Sequence, residues 1–207
     1  MTQALSVEQT APGQRHVPER PPLLAVGVMI WLGSELMFFS GLFAAYFTIR
    51  ANSHLHVAWP PLAGEHLDYV QAGIFSVVLL ASSPTFQLGV WAVERGDRSV
   101  ARRWIVTSFI LGAAFLSNTL YEWHDFASHN HGPSLNAYWS LFFIMTGIHG
   151  LHVALGLVAM IFLLGRMKGQ GGDPGETNVY QAVGYYWHFV DFMWIAIFSC
   201  LFLFKSG

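Results

Sequence analysis

Glu35 stands near the middle of a 27-residue apolar run, Leu23 to Ile49. A carboxylate at the centre of a membrane-spanning helix costs roughly 2.5–3.5 kcal/mol on insertion scales, so it is expected to face protein or water rather than lipid. Few other ionisable groups fall inside apolar segments. Glu122 lies near the outer end of the third. The fourth carries His149 and His152 in Thr146-Gly-Ile-His-Gly-Leu-His152, and the fifth His188 and Asp191 in Tyr185-Tyr-Trp-His-Phe-Val-Asp191. Residues three apart share a helix face. His149 and His152 therefore line one stripe, and His188 and Asp191 another, where the imidazole can donate to the carboxylate.

Three kinds of chemistry fit this set. Polar side chains can bond helices together, worth on the order of 1 kcal/mol each. Small residues four apart, Gly41 with Ala45 and Gly150 with Ala154, suit the close approach this needs. Histidines at mid-depth can ligate a metal or haem, but ligands side by side on one face do not oppose each other across a haem. A di-metal bundle needs Glu-x-x-His pairs on facing helices, and no span contains one. A carboxyl withdrawn from water can instead exchange protons near neutrality or meet a lipid headgroup. Outside the spans, His54, His56, His124, His129 and His131 read as members of solvated outer loops.

The elements that must hold these residues are membrane helices. The 207-residue chain is 54% hydrophobic and 11% charged, against about 25% charged in soluble domains. Its charges cluster between long apolar segments, which predicts an all-α, polytopic bundle of five transmembrane helices at about 23–49, 67–93, 101–123, 136–164 and 179–204, preceded by a polar, mobile tail over 1–22. Residues 23–207 form one transmembrane domain. Pro84 reads as a kink in the second helix, with Ser82, Ser83 and Thr85 at hand to bond freed carbonyls. Arg15, Arg20, Arg95, Arg98, Arg102, Arg103, Arg166 and Lys168 fall on one side, and Arg50 and Lys205 on the other. That asymmetry predicts a cytoplasmic N-terminus and an outer C-terminus. Trp59, Trp91, Trp104, Trp123 and Trp139 mark span ends, while Trp31, Trp187 and Trp194 read as packing residues. A net charge of −2 gives no basis for nucleic-acid binding, and the lone Cys200 excludes an internal disulfide or a cysteine metal cage.

Three segments carry a resemblance: Trp31-Leu-Gly-Ser-Glu-Leu-Met-Phe-Phe-Ser-Gly-Leu-Phe43, Thr146-Gly-Ile-His-Gly-Leu-His-Val153 and Tyr186-Trp-His-Phe-Val-Asp-Phe-Met-Trp194. In this order, on the first, fourth and fifth spans, they resemble subunit III of the haem–copper oxidases from Pro22 to Phe204. Glu122-Trp123 resembles that family's acidic–aromatic pair, with Thr119 where the family often has Gln. The length matches the five-helix form, and Ala92-Val-Glu-Arg-Gly-Asp97 is most similar to the actinobacterial cytochrome c oxidase type. Quinol oxidase subunit III is a close alternative. The resemblance implies a non-catalytic core subunit in a bacterial plasma membrane, without a metal or cofactor of its own. Haems and copper would sit in partner subunits I and II. The chain would pack on subunit I, hold phospholipid, and support proton uptake and turnover stability. Further small subunits and a supercomplex with a cytochrome bc-type complex are compatible with it. Glu35, Glu122, His149, His152, His188 and Asp191 are the polar positions matched to the family, expected to serve interhelix bonding or proton and lipid contacts.

Overall fold

The computed structural model describes residues 23–53, 69–128, 136–167 and 176–203, and among these it contains helices and no strand. The helices are α1 Leu23–Ser53, α2 Tyr69–Glu94, α3 Arg98–Ser128, α4 Ala137–Arg166 and α5 Glu176–Phe198, the last continuing into a π-helical turn, Ser199–Leu203. All five are long and apolar enough to cross a membrane. A helix satisfies its own backbone groups, as a bilayer requires. The helices outrun the apolar limits chiefly in α3, which starts at Arg98 and runs past Trp123 to Ser128. Hydropathy marks where the membrane ends, and a helix need not stop there. The tail 1–22 and Trp59, Lys168, Lys205, His54, His56, His129 and His131 lie outside the described residues.

The α2–α3 connection is built for a sharp reversal. Gly96 adopts φ +80°, donates to the Val93 carbonyl, and is followed by Asp97 donating to that of Ala92. This is the glycine-closed helix end that other residues resist. Asp97 then caps α3, its carboxylate accepting from the Val100 N–H at 3.1 Å and the Ser99 hydroxyl at 2.9 Å. These bonds, the backbone one foremost, hold its carboxyl below the ordinary range. Asn136 caps α4 in the same way through the Trp139 N–H. Arg98 pairs with Glu176 at the start of α5, and Gln181 donates to Glu94 at 2.8 Å, tying α5 to the hairpin.

α5 is the central helix. It packs against α1, α2 and α4, while α2 packs chiefly on α3. Trp187 is fully buried, and a Cβ added at Gly112 of α3 or Gly156 of α4 would overlap its ring. Its indole N–H donates to the Ser82 hydroxyl of α2 at 2.9 Å. One side chain thus joins four helices. Trp194 repeats the pattern, donating to Ser76 at 2.8 Å and packing edge-on to Phe115. Trp31 differs from this pair: it is 42% exposed and stacks on Tyr186 from outside. The close approaches therefore fall at Gly89, against Ile105 of α3, and at Gly112 and Gly156 rather than at the expected Gly41, which has nothing within 4 Å of its Cβ position, or Gly150, where only Leu116 comes within that range.

Pro84 lies inside an unbroken α2. Thr85 donates to the Ser82 carbonyl at 2.7 Å. Ser82 and Ser83 serve α5 instead of the α2 backbone, a correction to the expectation that all three would repair it. At the far end of α5, the Tyr46 hydroxyl donates to the Cys200 carbonyl within the π turn, fastening α1 there. Cys200 itself is buried.

Candidate functional site

Glu35 of α1 and His152 of α4 meet across 117 residues of sequence, Oε2 lying 3.2 Å from Nε2. The side chains are 23% and 9% exposed, respectively. The ring's other nitrogen, Nδ1, lies 2.8 Å from the Ile148 carbonyl. A carbonyl only accepts, so Nδ1 carries a proton. The Nε2···Oε2 bond then holds one further proton, either on the imidazole beside a carboxylate or on the carboxyl beside a neutral imidazole. The pair is neutral as a unit in both forms, which removes most of the cost of a lone charge at this depth. The Tyr186 hydroxyl donates to the His152 carbonyl at 2.7 Å, and Phe39 lies 5.3 Å from the imidazole, centroid to centroid. One turn away along α1 and α4, Trp31 and Leu155 help to line an apolar groove of about 340 Å³ together with Leu24, Val28, Val183 and Tyr186.

The other polar residues do not join this pair in one cluster. His149 shares the stripe of His152 but turns into the bundle, 1% exposed. It stacks on Trp194 at 4.8 Å, with Phe115 at its edge, and neither ring nitrogen has a hydrogen-bond partner among the described residues. His188 does not pair with Asp191. Its Nδ1 lies 2.5 Å from the Ser83 hydroxyl and its Nε2 3.0 Å from Gln87 Oε1. Asp191 points inward, 4% exposed, with the Ser83 side chain within reach of its carboxyl but no hydrogen bond of good geometry to either oxygen among the described residues. Spacing of three places both on one side of α5, but His188 lies at the edge of that side, where α2 supplies better partners. Glu122 accepts from Asn118 at 3.0 Å, and Asn118 accepts from Gln71 of α2 at 2.6 Å. Trp123 donates to Thr146 at 3.3 Å.

Ser83, Gln87 and Gln71 are hydrogen-bond partners of these residues that sequence reasoning did not assign. The two glutamines are uncharged, yet amides within apolar runs are themselves a signal. Among the described residues, no three His, Cys, Asp or Glu side chains gather as a metal ion requires.

The family model described as cytochrome c oxidase subunit III matches residues 2–206. A probable cytochrome c oxidase subunit 3 of Mycobacterium tuberculosis is 44% identical over 206 residues, covering 99% of this chain and 100% of the relative. The cytochrome c oxidase subunit 3 of Corynebacterium diphtheriae is 39% identical over 203 residues, 98% of each chain. That of Thermostichus vulcanus is 32% identical over 199 residues, 94% of each. With five membrane-length helices and bacterial relatives matched along nearly their whole length, this is a multi-pass plasma-membrane protein and a subunit III of a terminal oxidase. The chain belongs to the cytochrome c oxidase subunit III family.

Proposed function

We propose that the chain is a non-catalytic helper of a proton-pumping cytochrome c oxidase, packing on the haem-bearing subunit I and tuning protons and lipid beside it. The single observation that carries this reading is the Glu35–His152 pair. The pair joins an acid and an imidazole between α1 and α4, one turn from an apolar groove, which supports a role in holding a proton beside lipid. The groove's apolar lining suits a phospholipid acyl chain, and the pair offers a polar stop one turn beyond it. Haems and copper belong to subunits I and II, where oxygen is reduced. This chain's own residues orient, seal and hold a proton. The relatives' names favour cytochrome c over quinol as the donor. Glu122, His149, His188 and Asp191 serve interhelix packing and bonding.

The test is Glu35→Gln in the purified oxidase. An amide keeps a hydrogen bond to His152 but holds no exchangeable acid proton. Assembly with the haem-bearing subunit is expected to persist, while the number of turnovers before inactivation falls. Unchanged pumping and unchanged lifetime would reduce Glu35 to a packing residue.

A further inference from the structure

Hydrocarbon gives a buried polar group nothing to bond, so a cavity with polar walls inside a membrane bundle suits water rather than lipid. The groove beside Trp31 is walled by apolar side chains. A second, smaller cavity lies between α2, α3 and the far part of α5, and its walls differ. Asn118, Thr119 and Glu122 of α3 meet there with Phe75 of α2, Phe115 of α3 and Trp194 of α5. Its volume is about 10 Å³, room for a single water molecule.

The hydrogen bonds around this cavity select the occupant. Thr119 is 7% exposed. Its hydroxyl donates to the Phe115 carbonyl at 3.1 Å, so the oxygen's remaining capacity is to accept. Glu122 accepts from Asn118 at 3.0 Å, and the two oxygens of a carboxyl have lone pairs for further donors. Thr119 and Glu122 lie three residues apart, on one face of α3. A cavity rimmed by acceptors calls for a small molecule that donates twice, and water is that molecule. A hydrocarbon chain has no hydrogen to give these oxygens. A divalent cation takes about six oxygen ligands or more, beyond what three side chains supply.

We infer that one ordered water sits in this cavity and donates to both the Thr119 hydroxyl oxygen and the Glu122 carboxyl. It extends the chain of bonds that runs from Gln71 of α2 through Asn118 to Glu122. Through the cavity wall that chain reaches the layer of Trp194, on whose ring His149 stacks. The site goes beyond the oxidase reading and does not depend on it, because it is built from this chain's own side chains.

Trp187 and Trp194 test it as a matched pair. Each indole N–H donates to a serine of α2, and the residues are 0% and 5% exposed. Trp194 borders the cavity, whereas Trp187 is closed in by Gly112 and Gly156. X-ray radiolysis of the chain, purified with its native partners, turns bound water into hydroxyl radicals, and mass spectrometry reads which side chains they oxidise. The expected result is oxidation at Trp194 and background at Trp187. Thr119→Val keeps the shape of the side chain and removes the acceptor. In that variant the Trp194 signal is expected to fall to that of Trp187, with helix content unchanged. Equal oxidation of the two tryptophans in the wild type, or a Trp194 signal that survives Thr119→Val, would overturn the assignment. Should the variant not fold, the wild-type comparison decides by itself.

Discussion

His152 can share a proton with Glu35 because the Ile148 carbonyl already claims its other nitrogen. That arrangement makes the two residues a unit whose halves are worth less apart. His152→Leu strands the Glu35 carboxyl in hydrocarbon, and the purified protein is expected to lose about 2–3 kcal/mol of stability. Replacing both by Leu should recover most of that loss, since a buried pair exchanged for apolar packing is often neutral. Thermal unfolding of the two variants in detergent measures the difference. A double variant no better than the single one would mean that the pair is not coupled. At this scale the sequence was informative about which side chains matter and silent about their partners. Glu35 was marked by its cost, but its partner lies 117 residues away, and no local pattern names it. The spacing of His188 and Asp191 suggested a pair, yet Ser83 and Gln87 outcompeted Asp191 for the imidazole from a neighbouring helix.

Among the elements, α5 orders the bundle through flat rings set against missing side chains. Gly156→Ala places a Cβ into the Trp187 ring, which cannot swing aside while its N–H is bonded to Ser82. Overpacking of this kind costs about 1–3 kcal/mol, whereas Gly41→Ala, with open space around it, should change little. Melting temperatures of the two variants compare them directly; equal values would contradict this account of the α4–α5 contact. The α2–α3 turn gives a second test. Asp97 is held below the ordinary carboxylate value of 3.8 by the Val100 N–H and then the Ser99 hydroxyl. Its contribution is therefore present above that value and is lost as pH falls through the lower folded value. Asp97→Ala should speed hydrogen exchange at the Val100 amide at neutral pH, while in the wild type that amide should lose protection only below about pH 4. Protection unaltered by the substitution would show that the cap is not formed. The number and order of these helices were legible because apolar length alone demands them. Their contact faces were not. Gly41 and Gly150 carry the small-residue spacing, whereas Gly156 stands between His152 and Met160 without it, and the approach of Trp187 is what marks Gly112 and Gly156.

For the whole molecule, a nearly bare helix, α1, is fastened to a compact group of four by a few specific contacts: Glu35 to His152, Trp31 on Tyr186, and Tyr46 to the π turn at the end of α5. So much exposed apolar surface suits a chain that lives among lipid and a larger partner. The motifs on α1, α4 and α5 made the family legible, because those three helices build the Glu35–His152–Tyr186 corner together. A partner-facing surface has no such signature in the linear pattern, because exposed apolar side chains suit lipid and protein alike. The most direct test of the central claim is to tag this chain, isolate it from native membranes in mild detergent, and measure haem and subunit content. Equimolar recovery with a haem-bearing subunit that reduces oxygen is expected; recovery of the chain alone, free of haem and of any larger subunit, would overturn the subunit III reading.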